Sequence, residues 1–190
     1  MNRSGIGVCV WWWMCACNPE PATSDSSVTC PERAMVHGTG ETAVEPLVVG
    51  QELTIVNGPQ GGWHVWTAAE LTGFGPEITV LGSVVATANG AVLASATSEP
   101  VWMDLSVSPG DWTYDPATCA GAFYGHETRL DDFVPAGGDS TLEVICNLNG
   151  RSLDVTLEVT DVASGEALTS TVAVLGRPDQ TTQTSCAQLP

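Results

Sequence analysis

Three observations in the sequence predict an all-β chain, a single β-sandwich of Greek-key or immunoglobulin-like type braced by disulfides. Apolar and polar residues alternate with period two in several segments. Asn-Gly and Pro-Gly pairs punctuate those segments at short intervals. Valine and threonine are abundant (22 and 21), and no stretch keeps up a helical period. β-branched side chains suit the pleated, half-buried surface of a sheet, and closely spaced turns between short strands are the pattern of sandwiches.

The elements follow in order. Gln51–Val56 and Trp63–Thr67 read as short strands around the turn Asn57-Gly58-Pro59-Gln60-Gly61-Gly62. Glu77–Ala88 and Ala91–Thr97 pair across Asn89-Gly90, and Val101–Val107 runs to Pro109-Gly110. The glycine- and proline-rich region from Asp111 to Gly138 reads as a long cross-over or loop insertion braced by Cys119. Leu142, Val144, Cys146 and Leu148 then alternate with Glu143, Ile145 and Asn147, which predicts a strand with Cys146 facing the core. Asn149-Gly150 follows as a two-residue hairpin turn, since both residues tolerate positive φ. The clearest strand is Ser152–Thr160, where Leu153, Val155, Leu157 and Val159 share one face. Asp161–Gly165 turns the chain into a last strand, Ala167–Leu175.

Charge narrows the function. The 190 residues carry 22 acids against five arginines and no lysine, a formal net charge of −17. Nucleic-acid binding needs clustered cations to displace counterions from phosphates, so it is excluded as a partner class. Lysine-dependent phosphate loops and Schiff bases are excluded with it. At 43% hydrophobic the chain can still bury a core, so the acid belongs to a solvated, self-repelling surface.

The first residues read as a targeting segment. Arg3 is followed by the apolar run Ile6–Met14, too short to span a bilayer but right for the h-region of a signal peptide. Met14-Cys15-Ala16-Cys17 resembles the lipobox of bacterial lipoproteins, a resemblance confined to residues 1–17. It implies a signal peptide over residues 1–16, cleavage before Cys17, and a diacylglycerol thioether on that cysteine. Asn18 is not the aspartate that commonly marks inner-membrane retention in that class, which implies the outer membrane. Acyl chains contribute about 0.8 kcal/mol per buried CH₂, so the lipid would be the membrane partner. Residues 17–29 form a Pro/Ser/Thr-rich tether, and residues 30–190 the sandwich domain.

Removing the leader and the lipidated Cys17 leaves Cys30, Cys119, Cys146 and Cys186, an even set that predicts two disulfides in an exported domain. Of three possible pairings, Cys119–Cys146 and Cys30–Cys186 are favoured. The first bridges neighbouring parts of the domain and the second ties its two ends together.

Candidate chemistry is sparse. Gly61-Gly62-Trp63-His64-Val65-Trp66 sets a histidine between aromatics; with Trp63 and Val65 facing the core, His64 and Trp66 fall on the outer face. His64 and His126 are the candidate metal ligands, of copper type, with His37, Met35 or Met103 as further donors. The bland alternative makes His64 structural and the tryptophans core. Acids at Asp111–Asp115, Asp131-Asp132 and Asn147–Asp154 offer oxygen ligands for calcium. No G-x-S-x-G, H-E-x-x-H or G-x-G-x-x-G motif is present, and His126-Glu127 lacks the second histidine of a zincin helix. These features point to a non-catalytic cell-envelope lipoprotein, a binding or structural module with a protein or small ligand as its partner. The alternative is an envelope metal-binding protein using His64 and His126.

Overall fold

The computed structural model describes residues 29–59, 62–88, 91–107, 112–130 and 141–189. The all-β expectation holds. Eleven strands form one mixed sheet that folds over on itself. They are β1 (Ala34–Thr39), β2 (Glu45–Pro46), β3 (Glu52–Asn57), β4 (Trp63–Thr72), β5 (Glu77–Ala88), β6 (Ala91–Thr97), β7 (Val101–Asp104), β8 (Trp112–Asp115), β9 (Ala120–Arg129), β10 (Ser152–Asp161) and β11 (Ala167–Pro178). Two short helices complete the described chain, α1 (Thr141–Asn147) and α2 (Gln180–Cys186).

The continuous strand order is β2-β1-β4-β3-β11-β10-β5-β6. On the other side of β4 lies β9, with β8 beyond it; β7 extends the free side of β5 past β6. The hinge between the two halves is β3. Its residues Glu52–Ile55 run parallel to Leu175–Pro178 of β11, while Val56 and Asn57 pair antiparallel with His64 and Trp63 of β4.

The period-two pattern works as expected in β10. Leu153, Val155, Leu157 and Val159 are fully buried, and β11 and β5 pair along both edges of the strand. The interior forms two clusters. One centres on Ile55, Val65, Leu130 and Ile145, the other on Leu71, Phe74, Ile78 and Phe123.

Between the clusters the two layers almost touch. Gly82 of β5 faces Thr128 of β9, and a Cβ on Gly82 would stand 2.0 Å from the Thr128 hydroxyl oxygen and 3.0 Å from its methyl carbon. Thr128 is fully buried and its hydroxyl lies 3.1 Å from that of Thr67, so it has no room to yield. Gly82→Ala is expected to lower the unfolding free energy by about 3 kcal/mol, the upper range for overpacking. Denaturant titration should show part of that loss restored in Gly82→Ala/Thr128→Ala. If the single variant is as stable as the parent, the layers are not in contact there.

Three expectations need correction. Residues 142–148 are not a strand. Val144, Ile145 and Leu148 are the buried set, an i, i+1, i+4 spacing that a helix presents on one face. Asn149-Gly150 accordingly ends a helix instead of closing a hairpin. Gly150 takes φ +70° and its N–H donates to the Gly176 carbonyl. The supposed loop insertion contains β8 and β9, and β9 pairs with β4 from His64 to Thr72. Its pattern is broken by Gly121, packed against Leu105 and the Thr113 carbonyl, and by a bulge where Thr67-Ala69 opposes His126-Phe123. The signal peptide, Cys17, most of the tether, Asn89-Gly90, Pro109-Gly110, Asp111 and Asp131-Asp132 lie outside the described residues.

Candidate functional site

The Trp63–Trp66 segment opens β4, directly after the β3–β4 turn. As expected, Trp63 and Val65 face inward: Val65 is fully buried and Trp63 packs against the first cluster. His64 and Trp66 share the opposite face, their rings edge-on with centroids 4.5 Å apart. That face is covered at His64. The ring lies 3.6 Å from where a Cβ on Gly58 would sit, and the residue is only 5% exposed.

Asp179, the residue before α2, comes beside His64. Asp179 caps this helix by accepting from the Thr182 N–H (2.7 Å), and it accepts from the Asn57 N–H (3.0 Å) as well. Burial alone would raise the Asp179 pKa. The hydrogen bonds from Asn57 and Thr182 and the nearby His64 outweigh it, and the carboxyl lies below its ordinary range. Thr182, buried, accepts from Trp63 Nε1 at 3.2 Å. The residues that looked like a ligand site are thus the seat on which α2 docks. Asp179 followed by Thr182 is an N-cap pattern that sequence reading could have found.

His126 is elsewhere. Thr67 is its register partner, so it lies on the inward face of β9, edge-on to Phe123 at 6.5 Å. It is 7% exposed, and burial holds its pKa below the ordinary value against the opposing pull of Glu127. Its Nε2 is buried without a hydrogen-bond partner, and the residue borders a cavity of about 430 Å³ lined also by Ser98, Glu99, Val101 and Arg129. The Ser98 hydroxyl is committed there, accepting from the Gly82 N–H and donating to the Gly82 carbonyl.

The structure therefore does not bring His64 and His126 together. They occupy opposite faces of the sheet. His64 is opposite Arg129, three residues along β9 from His126, which is about 10 Å of strand. Metal–nitrogen bonds are about 2 Å, so no single ion takes both. Met35 and Met103 fill the second cluster, and no group of three or more His, Cys, Asp or Glu side chains gathers among the described residues. His37 lies inward on β1, 5% exposed, with neither ring nitrogen hydrogen-bonded; burial pushes its pKa down to about 4.

Of the acids considered for calcium, Asp115 spends its carboxylate on its own turn, accepting from the Ala117 N–H and the Thr118 hydroxyl. A better-built acidic site escaped the sequence reading. Asp161, 3% exposed, accepts from the N–H groups of Gly75 (2.6 Å) and Ser164 (2.8 Å) and from the Ser164 hydroxyl, and it lies 3.8 Å from Arg33. Burial opposes its ionisation, but these donors and Arg33 prevail and its pKa is lowered. Arg33 also pairs with Glu166 and lies over the Phe74 ring. This is a clasp between the N-terminal entry and the β10–β11 turn.

The cysteines pair differently from the favoured scheme. Cys30 joins Cys119, and Cys146 joins Cys186. The reason is the helix at 141–147, which carries Cys146 to α2 instead of into the sheet. Cys30 enters beside Gly73, whose N–H donates to the Cys119 carbonyl.

No family model matches the chain, and no curated protein aligns with it. Among solved structures, the CooA pilin subunit from enterotoxigenic Escherichia coli is similar to this chain over 76% of its residues and 98% of the pilin's, at 9% identity and a TM-score of 0.37. That overlap is too slight to transfer either fold or role.

Proposed function

We propose that this protein is a cell-envelope lipoprotein, a non-catalytic binding or structural module held at the outer membrane by lipid on Cys17. The observation that carries the reading is the use of cysteine. All four cysteines of the described residues are joined in two disulfides, which form and persist in oxidising compartments. The lipobox-like Met14–Cys17 supplies the route out of the cytoplasm and the anchor. A non-catalytic role is supported by the histidines, the side chains whose ordinary pKa is nearest neutrality. All three are at least 93% buried, and the lowered pKa values of His37 and His126 keep those two neutral near pH 7.

The test is Cys17→Ser in the exporting host. The parent chain should stay with membranes through alkaline washing and take up labelled fatty acid. The variant should do neither while keeping both disulfides. A variant that still sediments with washed membranes would sink the lipid-anchor reading.

A further inference from the structure

We propose that the outward face of β5, β7 and β10 docks an extended basic polypeptide that carries a cationic side chain at every fourth position. The inference does not depend on the lipid anchor. Ile78, Val80 and Val84 of β5, Met103 of β7 and the four apolar residues of β10 point into the core, so the residues between them face outward. Register sets out that face in rows. Glu77 of β5 stands opposite Asp104 of β7, and Thr79 opposite Trp102. Farther along β5, Leu81 is opposite Glu158 of β10, and Val85 is opposite Asp154. Carboxylates therefore recur at the levels of residues 77, 81 and 85, and four residues of strand rise about 13 Å from each level to the next.

Two features set this face apart. Trp102, 57% exposed, is the one exposed aromatic side chain among the described residues. Beside it, Glu77 and Asp104 set like charges directly opposite each other on neighbouring strands, a placement that costs stability when nothing offsets it. Among the described residues none of the four acids of this face has a cationic partner. The ion pairs lie elsewhere, with Arg33, Arg129 and Arg177 taking Asp161, Glu166, Glu127 and Glu52. β5, β6, β7 and β10 hold no basic residue at all.

Charge complementarity selects the occupant. A guanidinium or ammonium over the Trp102 ring is drawn to the negative face of the indole. Glu77 and Asp104 are the next outward residues along β5 and β7, so the same cation draws on both carboxylates. In an extended chain alternate side chains share a face, and positions i, i+4 and i+8 point the same way about 13 Å apart. A peptide laid along the strands thus brings its second cation to Glu158 and its third to Asp154. The net charge of −17 steers such a partner in and repels anionic ones.

The test uses the full chain in a non-ionic detergent and a fluorescent nine-residue peptide of serine and threonine, with arginine at its first, fifth and ninth positions. Anisotropy at low salt should show saturable binding. Glu77→Gln/Asp104→Asn and Glu158→Gln/Asp154→Asn should each raise the dissociation constant about tenfold, and Trp102→Ala about threefold. Glu41→Gln/Glu45→Gln removes the same two charges from the β1–β2 side and should leave it within about twofold of the parent. A peptide with its three arginines adjacent should bind about threefold more weakly or worse. Should a doubly substituted chain lose its far-ultraviolet circular dichroism, Trp102→Ala at its exposed position gives the reading instead. Absence of saturable binding overturns the proposal. So does a peptide pair indifferent to spacing, or a Glu41/Glu45 variant as impaired as the others, since either would reduce the attraction to net charge.

Discussion

Replacing Cys30 and Cys119 together by alanine is expected to lower the unfolding free energy by about 4 to 5 kcal/mol. The crosslink spans 89 residues of sequence, and the entropy it removes from the unfolded chain grows with the logarithm of that span. Cys146 and Cys186 are 40 residues apart, so the same replacement there should cost about 4 kcal/mol. For a domain of this size the first loss corresponds to a drop in Tm of roughly 10 to 15 °C. Two further features raise the stakes at Cys119. The residue is 3% exposed, and its carbonyl accepts from Gly73, so the bond joins the N-terminal entry to the turn after β4. Calorimetry on the paired variants measures both effects. A double variant within about 1 kcal/mol of the parent would show that the unfolded chain is already compact around that contact.

Acid is expected to destabilise the fold well before its carboxylates protonate. His37 has a folded pKa of about 4 against an ordinary value of 6.5. Below pH 6.5 the unfolded chain binds a proton at this position that the folded chain refuses, so stability falls with pH until the folded pKa is reached. The stabilisation is present above 6.5 and is lost between 6.5 and 4, at up to 1.4 kcal/mol per pH unit, about 3 kcal/mol in all. His126 is shifted in the same direction for the same reason and adds to the slope. Asp161 and Asp179 act later. Their lowered pKa values keep their contribution intact until the pH falls below the ordinary carboxylate range. Urea unfolding at intervals from pH 7 to 4 measures the total. His37→Leu, which keeps the bulk without the titrating ring, should lower the slope by about one proton's worth between 6.5 and 4. An unchanged slope in that variant would mean the ring is solvated in solution.

The strands of one half of the sheet were legible from residues alone. β5, β10 and β11 alternate cleanly, and β6 does so from Leu93 to Thr97, because each has one face on a closed core and the other on water. Where that condition fails, so does the reading. β9 must pass Thr113 and Leu105 with a glycine and then bulge at Gly125, which erases its alternation. In α1, positions 142, 144, 146 and 148 fit a strand and positions 144, 145 and 148 fit a helix; over seven residues the two periods cannot be separated by hydrophobicity. The disulfide error followed from that ambiguity, since a strand and a helix carry Cys146 to different neighbours. At the candidate site, local alternation assigned the faces of Trp63–Trp66 correctly. It could not show that Asp179, 115 residues further on, would come beside His64, because docking of α2 depends on Asp179, Asn57 and Thr182, which are far apart in sequence.

The Cys30–Cys119 bond also determines how the molecule bears a pull. Tension applied at the N-terminal end reaches Cys30 and crosses the sulfur bridge to Cys119, where the chain enters β9. The 88 residues between them, β1 to β8, hang from the bridge as a closed loop outside the load path. Force along the chain therefore arrives first at the long β9–β4 pairing in shear, the geometry in which all its hydrogen bonds resist together, while the first eight strands cannot be unravelled one by one.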